Sequence, residues 1–218
     1  TVAVLGECAR GKSQLVNALL FAGYGGGLLP TGEAGATRCP TEILHDAKEE
    51  PGLRLLSMKS RFRQASLGQL RKSAVDWSRL PLDTGSPPAM RESLAALAET
   101  KAMKAQEARL QGFAPLASGG EAAADEDVVA VPAWRYGVLN IPHPLLENGL
   151  AVLDLPGPED IASDPELSLS TLPRADAILF VLAADKGITG EDLDVWGRFA
   201  KPAPPPKVAV VSRTDLLE

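Results

Sequence analysis

Eight residues near the start of the chain limit what it can fold into. Gly6-Glu7-Cys8-Ala9-Arg10-Gly11-Lys12-Ser13 has the spacing G-x-x-x-x-G-K-[ST] and sits between the apolar run Val2–Leu5 and the helical period Ser13–Phe21. Strand, glycine-rich turn and helix in that order predict a loop that cradles phosphates. The backbone amides from Glu7 to Ser13 are expected to wrap a β-phosphate, helped by the positive end of the helix that begins near Lys12. Lys12 is expected to bridge β- and γ-phosphates as a point charge. Ser13 offers its hydroxyl to Mg²⁺, and Gln14 completes the nucleotide-binding set. A turn that binds nothing has no reason to place Lys and Ser directly after its second glycine.

The remaining pattern agrees with a nucleotide-binding α/β domain. Short apolar runs bounded by Gly, Pro or Asp recur at Leu53–Met58, Val138–Ile141, Leu150–Leu155, Ala177–Ala184 and Val208–Val211. Several are apolar at successive positions, as strands buried on both faces of a parallel sheet require. Helical periods are read at Ser13–Phe21, Glu166–Leu172 and Glu191–Ala200, with Leu15, Val16, Leu19 and Leu20 on one side of the first. Such punctuation predicts a three-layer fold with a mostly parallel sheet. Residues 1–56 are expected to form its first part, 57–134 a helical insertion with a flexible linker at 117–127, and 135–218 the remainder, truncated after the last motif. Two helices are expected in the insertion, near Ser66–Arg79 and Pro88–Leu110, separated by a Pro- and Gly-containing breaker.

Two further motifs narrow the ligand. Asp154-Leu155-Pro156-Gly157 is a D-x-x-G at a strand end, where the carboxylate reaches a Mg²⁺-bound water and the Gly157 amide contacts a γ-phosphate. Ser212-Arg213-Thr214-Asp215 follows the run Val208–Val211 and keeps the strand-end position and final acid of the guanine-reading motif N/T-K-x-D. Asp215 can accept from N1 and N2 of guanine, a pair adenine lacks. Ser212 keeps a hydroxyl, and the stem of Arg213 can lie over the base.

Together these motifs resemble the GTPase domain of the dynamin-like superfamily, particularly its bacterial members. The likeness is sharpest from Leu28 to Ile43, where Thr37, Arg38, Cys39 and Pro40 match a first-switch T-R-x-P core, and it extends to Leu172–Ala177. The resemblance implies a Ras-like, dynamin-type P-loop fold. It also implies that Thr37 ligates Mg²⁺ and positions the attacking water through its main chain, with Ser13 and Asp154 completing the metal shell. Lys12, Thr37 and Gly157 then carry catalysis. Family members often place a Ser, sometimes preceded by Gln, where this chain has Ala9 preceded by Cys8; that Ser supports a monovalent cation and head-to-head pairing. Pro158 follows Gly157, so no side chain there orients water, which agrees with leaving that work to the switch.

The arginine of the phosphate loop, Arg10, is expected to bind through its amide with its side chain pointing away. Cys8 reads as a small buried packing residue, His143 as part of a rigid turn, and Trp77, Trp134 and Trp196 as core anchors. Composition excludes some classes: with 45% hydrophobic and 23% charged residues the chain is neither disordered nor collagen-like. Its longest apolar run, Ala177–Ala184, is far shorter than the roughly 20 residues of a membrane-spanning helix. Two cysteines suggest a reducing, cytoplasmic setting, and the net charge of −6 argues against nucleic acid. Residues 57–110 hold ten Lys or Arg and five Asp or Glu, so this stretch is net +5 and the remainder −11. The expected partners are GTP and GDP, a second copy of the domain, and an anionic membrane surface, with a cytoplasmic location peripheral at the inner membrane. The expected activity is Mg²⁺-dependent GTP hydrolysis coupled to self-association and membrane remodelling. The alternative is a nucleotide switch with negligible turnover.

Overall fold

The structure is a computed structural model and describes residues 1–32, 38–63, 65–73, 75–111, 113, 128–157, 174–202 and 205–217. Ten strands are described. They are β1 Val2–Leu5, β2 Thr41–Leu44, β3 Gly52–Ser57, β4 Trp77–Pro81, β5 Thr100–Lys104, β6 Val128–Pro132, β7 Trp134–Asn140, β8 Val152–Asp154, β9 Ala177–Ala183 and β10 Lys207–Ser212. Eight of them form one sheet in the order β10-β9-β1-β8-β2-β7-β3-β4, and β5 pairs with β6 in a separate hairpin.

The half of the sheet around β1 is parallel. Val2 pairs with Val152 of β8 on one side and with Ala177 of β9 on the other, and β9 pairs in parallel with β10. Strand β2 reverses direction against β8, with Thr41 opposite Asp154. It therefore begins at the edge where β1 and β8 end. Strands β3 and β4 add two antiparallel pairings beyond β7.

Successive apolar residues point to opposite faces of a strand, so the sheet carries two cores. On one face Val4, Ile43, Leu53, Leu55, Leu139 and Val181 pack with helices α1 (Lys12–Leu20), α3 (Pro87–Ala95) and α5 (Pro144–Glu147). On the other, Leu5, Leu56, Leu153 and Phe180 pack with the single turn α2 (Leu67–Leu70), with α6 (Gly190–Val195) and with the π-turn Trp196–Ala200 that continues it. The arrangement is the expected three-layer α/β fold. No described helix is long and apolar enough to cross a membrane.

The structure corrects several local readings. The helix expected at Ser66–Arg79 is one turn, closed by a Ser66/Gln69 capping box, after which Trp77–Pro81 becomes strand β4. The open edge of β3 takes this segment, pairing Leu56 with Trp77 and Leu53 with Leu80. The helix expected at Pro88–Leu110 is α3 and a 3₁₀ turn, then strand β5, then α4 (Ala105–Leu110). Local helix propensity at 100–104 yields to pairing with the distant Val128–Pro132 run. Strand β2 lay unread within the switch-like stretch. Helix α1 buries Val16 and Leu20, but Leu19 is 47% exposed, and Leu193 of α6 is likewise outside the core. All three tryptophans are half-buried: Trp77 donates to Leu70 O, Trp134 donates to Glu99 Oε2 beneath Lys101, and Trp196 stands edge-on to Phe180. His143 serves as the N-cap of α5, its Nδ1 accepting from Leu145 N. The Glu166–Leu172 helix and the 117–127 linker lie outside the described residues.

Leu94 of α3 is fully buried against the α1 layer, whereas Leu110 at the end of α4 is 82% exposed. Leu94→Ala is expected to destabilise the protein by about 2–5 kcal/mol in urea unfolding. Leu110→Ala is expected to shift stability by no more than about 0.5 kcal/mol. Equal effects would mean that the 87–110 segment does not pack as described.

Candidate nucleotide and metal site

The C-terminal ends of β1, β8, β9 and β10 and the start of β2 meet at one edge of the sheet. Strand β1 delivers the glycine-rich loop there. The loop lies so close to β9 that a Cβ on Gly6 would fall 2.5 Å from Val181 O, a position no side chain can occupy. Gly11, the N-cap of α1, has φ 89°, in the left-handed region that glycine adopts without strain. The amides that open α1 therefore face a cavity of about 260 Å³. Its walls include Cys8, Ala9, Gly11, Lys12, Ser13, Gln14 and Gly157, all named from the sequence, together with Arg213.

Lys12 is 7% exposed, and its ammonium donates to Glu7 O at 2.9 Å, closing the loop on itself. Ser13 Oγ donates to Asp154 Oδ2 at 2.8 Å. Asp154 is fully buried at the end of β8, and its second oxygen, Oδ1, has no hydrogen-bond partner. A hydroxyl beside a buried, half-satisfied carboxylate is an oxygen donor set suited to a hard divalent cation, so the residues fit Mg²⁺. Burial pushes the Asp154 carboxyl up to about 6, while the Ser13 hydrogen bond and the Lys12 charge pull it down.

Arg10 does not face the cavity. Its guanidinium, 1% exposed, donates through Nε to Asp192 Oδ1 at 3.0 Å and through Nη2 to Asp192 Oδ2 and Thr189 Oγ1, both at 2.8 Å. Nε also lies 2.9 Å from Glu7 Oε2. Thr189 and Asp192 are the capping box of α6, so the arginine ties the phosphate loop to that helix. The Arg10 carbonyl in turn accepts from Ser212 Oγ at 2.5 Å, joining the loop to the end of β10.

A second cavity, of about 460 Å³, shares the walls Gly11, Gln14 and Arg213 with the first and adds Ser212 and Asp215. Arg213 is held by Asp185 at 3.4 Å. The residues read as a base-reading motif thus adjoin the phosphate loop. Thr37 lies outside the described residues, as does Pro158. Cys8 is partly exposed against Gly157, which corrects its reading as a buried packing residue; Cys39 is buried, and burial pushes its thiol up to about 12.

Two residues near the site escaped the sequence reading. Asn17 is buried and accepts from Leu28 N and Leu29 N while donating to Leu29 O, pinning the approach to the 30–32 wall of the cavity. Lys186 lines the cavity from the turn after β9. A polar, glycine-containing turn directly after the apolar run at 177–184 was its available signal.

Residues 2–213 match the model of the dynamin family. The chain belongs to that family. No curated protein matches it. One similar solved structure is of an oligomerised bacterial dynamin pair that provides a mechanism for the long range sensing and tethering of membranes. The two are 17% identical with a TM-score of 0.52, covering 100% of this chain and 26% of that one. A second structure of an oligomerised bacterial dynamin pair is 12% identical with a TM-score of 0.43, covering 96% and 32%. The present chain therefore spans about a quarter of the length of the first of these proteins. The likeness is one of fold, a dynamin-type P-loop GTPase domain.

The Asp154 carboxyl gives a pH signature. Folded, it holds its proton up to about pH 6; unfolded, it releases it near 3.8. The folded state therefore binds more protons between those values, so stability falls as pH rises through that window and stays lower above it. In the ligand-free protein, Asp154→Asn is expected to remove this slope and to raise stability near neutral pH by on the order of 3 kcal/mol. Thermal unfolding from pH 4 to 8 measures both, and matching slopes in variant and wild type would refute the burial effect.

Proposed function

We propose that this domain binds GTP with Mg²⁺ and hydrolyses it, using the cycle to drive self-association at a membrane. The observation that carries the reading is the Ser13–Asp154 pair, with its unpartnered Oδ1, set under a glycine-rich loop whose neighbouring cavity holds Asp215. The loop amides and Lys12 hold the β- and γ-phosphates, and Ser13 and Asp154 hold Mg²⁺, which neutralises charge on the phosphate oxygens. Thr37 positions the attacking water through its main chain, with the Gly157 amide at the γ-phosphate. Asp215 accepts from guanine, and Arg213, braced by Asp185, lies over the base. Multiple-turnover phosphate release by the full-length protein tests hydrolysis; bound nucleotide without release would identify a switch with negligible turnover. Competition between GTP and ATP tests base choice.

Thr37→Ala is expected to leave nucleotide affinity within about tenfold of wild type while cutting turnover about a hundredfold or more, because the switch acts chiefly in the transition state. Lys12→Ala weakens binding and turnover together. Normal hydrolysis by Thr37→Ala would remove the first-switch assignment.

In this proposal the positively charged 57–110 stretch makes the membrane contact, and the protein works in the cytoplasm, peripheral at the inner membrane. The support is the family, the two free cysteines and the charge pattern. Between β3 and β4, Lys59 and Lys72 are exposed, as are Phe62 at 62% and Val75 at 82%. Exposed cations for headgroups and exposed apolar side chains for the interfacial layer, both within this stretch, suit an anionic bilayer. Changing Lys59, Lys72 and Lys104 to Glu is expected to abolish co-sedimentation with vesicles containing phosphatidylserine, and binding by the wild type should weaken as salt rises. Co-sedimentation unchanged by the three substitutions would place the contact elsewhere, and salt-sensitive dimerisation without lipid would assign the patch to a second copy.

A further inference from the structure

The charges around the phosphate cavity are unequally committed. Arg10 is consumed by Asp192 and Glu7, Arg213 by Asp185, and Lys12 already donates to Glu7 O. Lys186 differs from all three: it lines the same cavity, it is exposed, and among the described residues its ammonium has no hydrogen bond or ion pair. Its position is built by the fold. Strand β9 ends at Ala183, whose carbonyl accepts from Lys186 N at 3.2 Å and from Gly187 N at 3.1 Å, making a tight turn. Pairing of Leu5 with Phe180 sets that turn beside the loop that leaves β1. The neighbouring acid, Asp185, is turned to Arg213 and leaves the lysine uncompensated.

From this geometry we infer that Lys186 is a phosphate-contacting residue acting within the same chain. It enters the cavity wall from the β9 side of β1, in a wall that also holds Pro30–Gly32. A lysine is suited to this as a point charge on a long stem, reaching phosphate oxygens without a fixed hydrogen-bond geometry. The inference rests on the proposed nucleotide site and adds a second cation to it.

Calorimetric titration of the full-length protein with GDP and with a non-hydrolysable GTP analogue, in the presence of Mg²⁺, tests it. Lys186→Ala is expected to weaken both about 5- to 30-fold, Lys186→Arg to stay within about threefold of wild type, and the unfolding midpoint of the ligand-free protein to stay unchanged. Affinity of Lys186→Ala within twofold of wild type would overturn the inference. So would an equal loss in Lys186→Arg, which would mean that the charge is not what binds, or a fall in the ligand-free unfolding midpoint, which would make the role structural. Lys12→Ala separates the two layers of the claim. Loss of binding in Lys12→Ala with none in Lys186→Ala leaves the nucleotide site standing and removes Lys186 from it, and no binding by the wild type refutes both.

Discussion

Strand β1 is hydrogen-bonded in parallel on both sides, to β8 and to β9, and the rest of the site depends on that double pairing. It fixes the exit of the glycine-rich loop at the edge where β8 presents Asp154 and β9 turns at Ala183. Val4 and Leu5 anchor opposite faces of the strand in the two cores, each buried leucine or valine contributing about 1.5–3 kcal/mol. With the strand so held, the loop cannot drift from β9, and only glycine fits at position 6.

On this frame the buried charges divide into those that hold the loop and those left to meet a ligand. Arg10 and Asp192 are each 1% exposed, and the desolvation cost of two buried ions is offset only by their bidentate contact and the added bonds to Thr189 and Glu7. Removing Arg10 would strand the Asp192 charge, whereas Arg10 without Asp192 would keep Glu7. Through the Arg10 carbonyl the same residue reaches Ser212, so one loop position couples α6, the phosphate loop and the end of β10. Asp154 is different: its carboxylate is buried with one oxygen unsatisfied, an arrangement costly to the ligand-free fold and reasonable for a cation site.

The two misread segments show what sequence reading lacks. Ser66–Gln69 carries a genuine helix-start signal, and it does start a helix, but one turn later the edge of β3 recruits Trp77–Pro81. Thr100–Lys104 sits between helical stretches in sequence and becomes a strand because Val128–Pro132 lies alongside it. In both cases the deciding hydrogen bonds come from residues 20 or more positions away, where no local periodicity records them.

The sequence by itself determined the α/β class, the phosphate loop, the strand-end acid Asp154, the strand-end position of Ser212-Arg213-Thr214-Asp215 and the burial of β1 and β9. Each is written in a short window whose residue types admit few conformations: glycines where a backbone must approach, Lys-Ser at a helix start, apolar runs where both faces are covered. Only the tertiary structure decided that β2 runs against β8, with Thr41 opposite Asp154 at the site edge. It alone turned Arg10 into a strut to Asp192 and set Lys186 in the cavity wall. Those outcomes follow from which strands become neighbours, a property of the whole chain, because pairing energy is shared between segments that no single window contains.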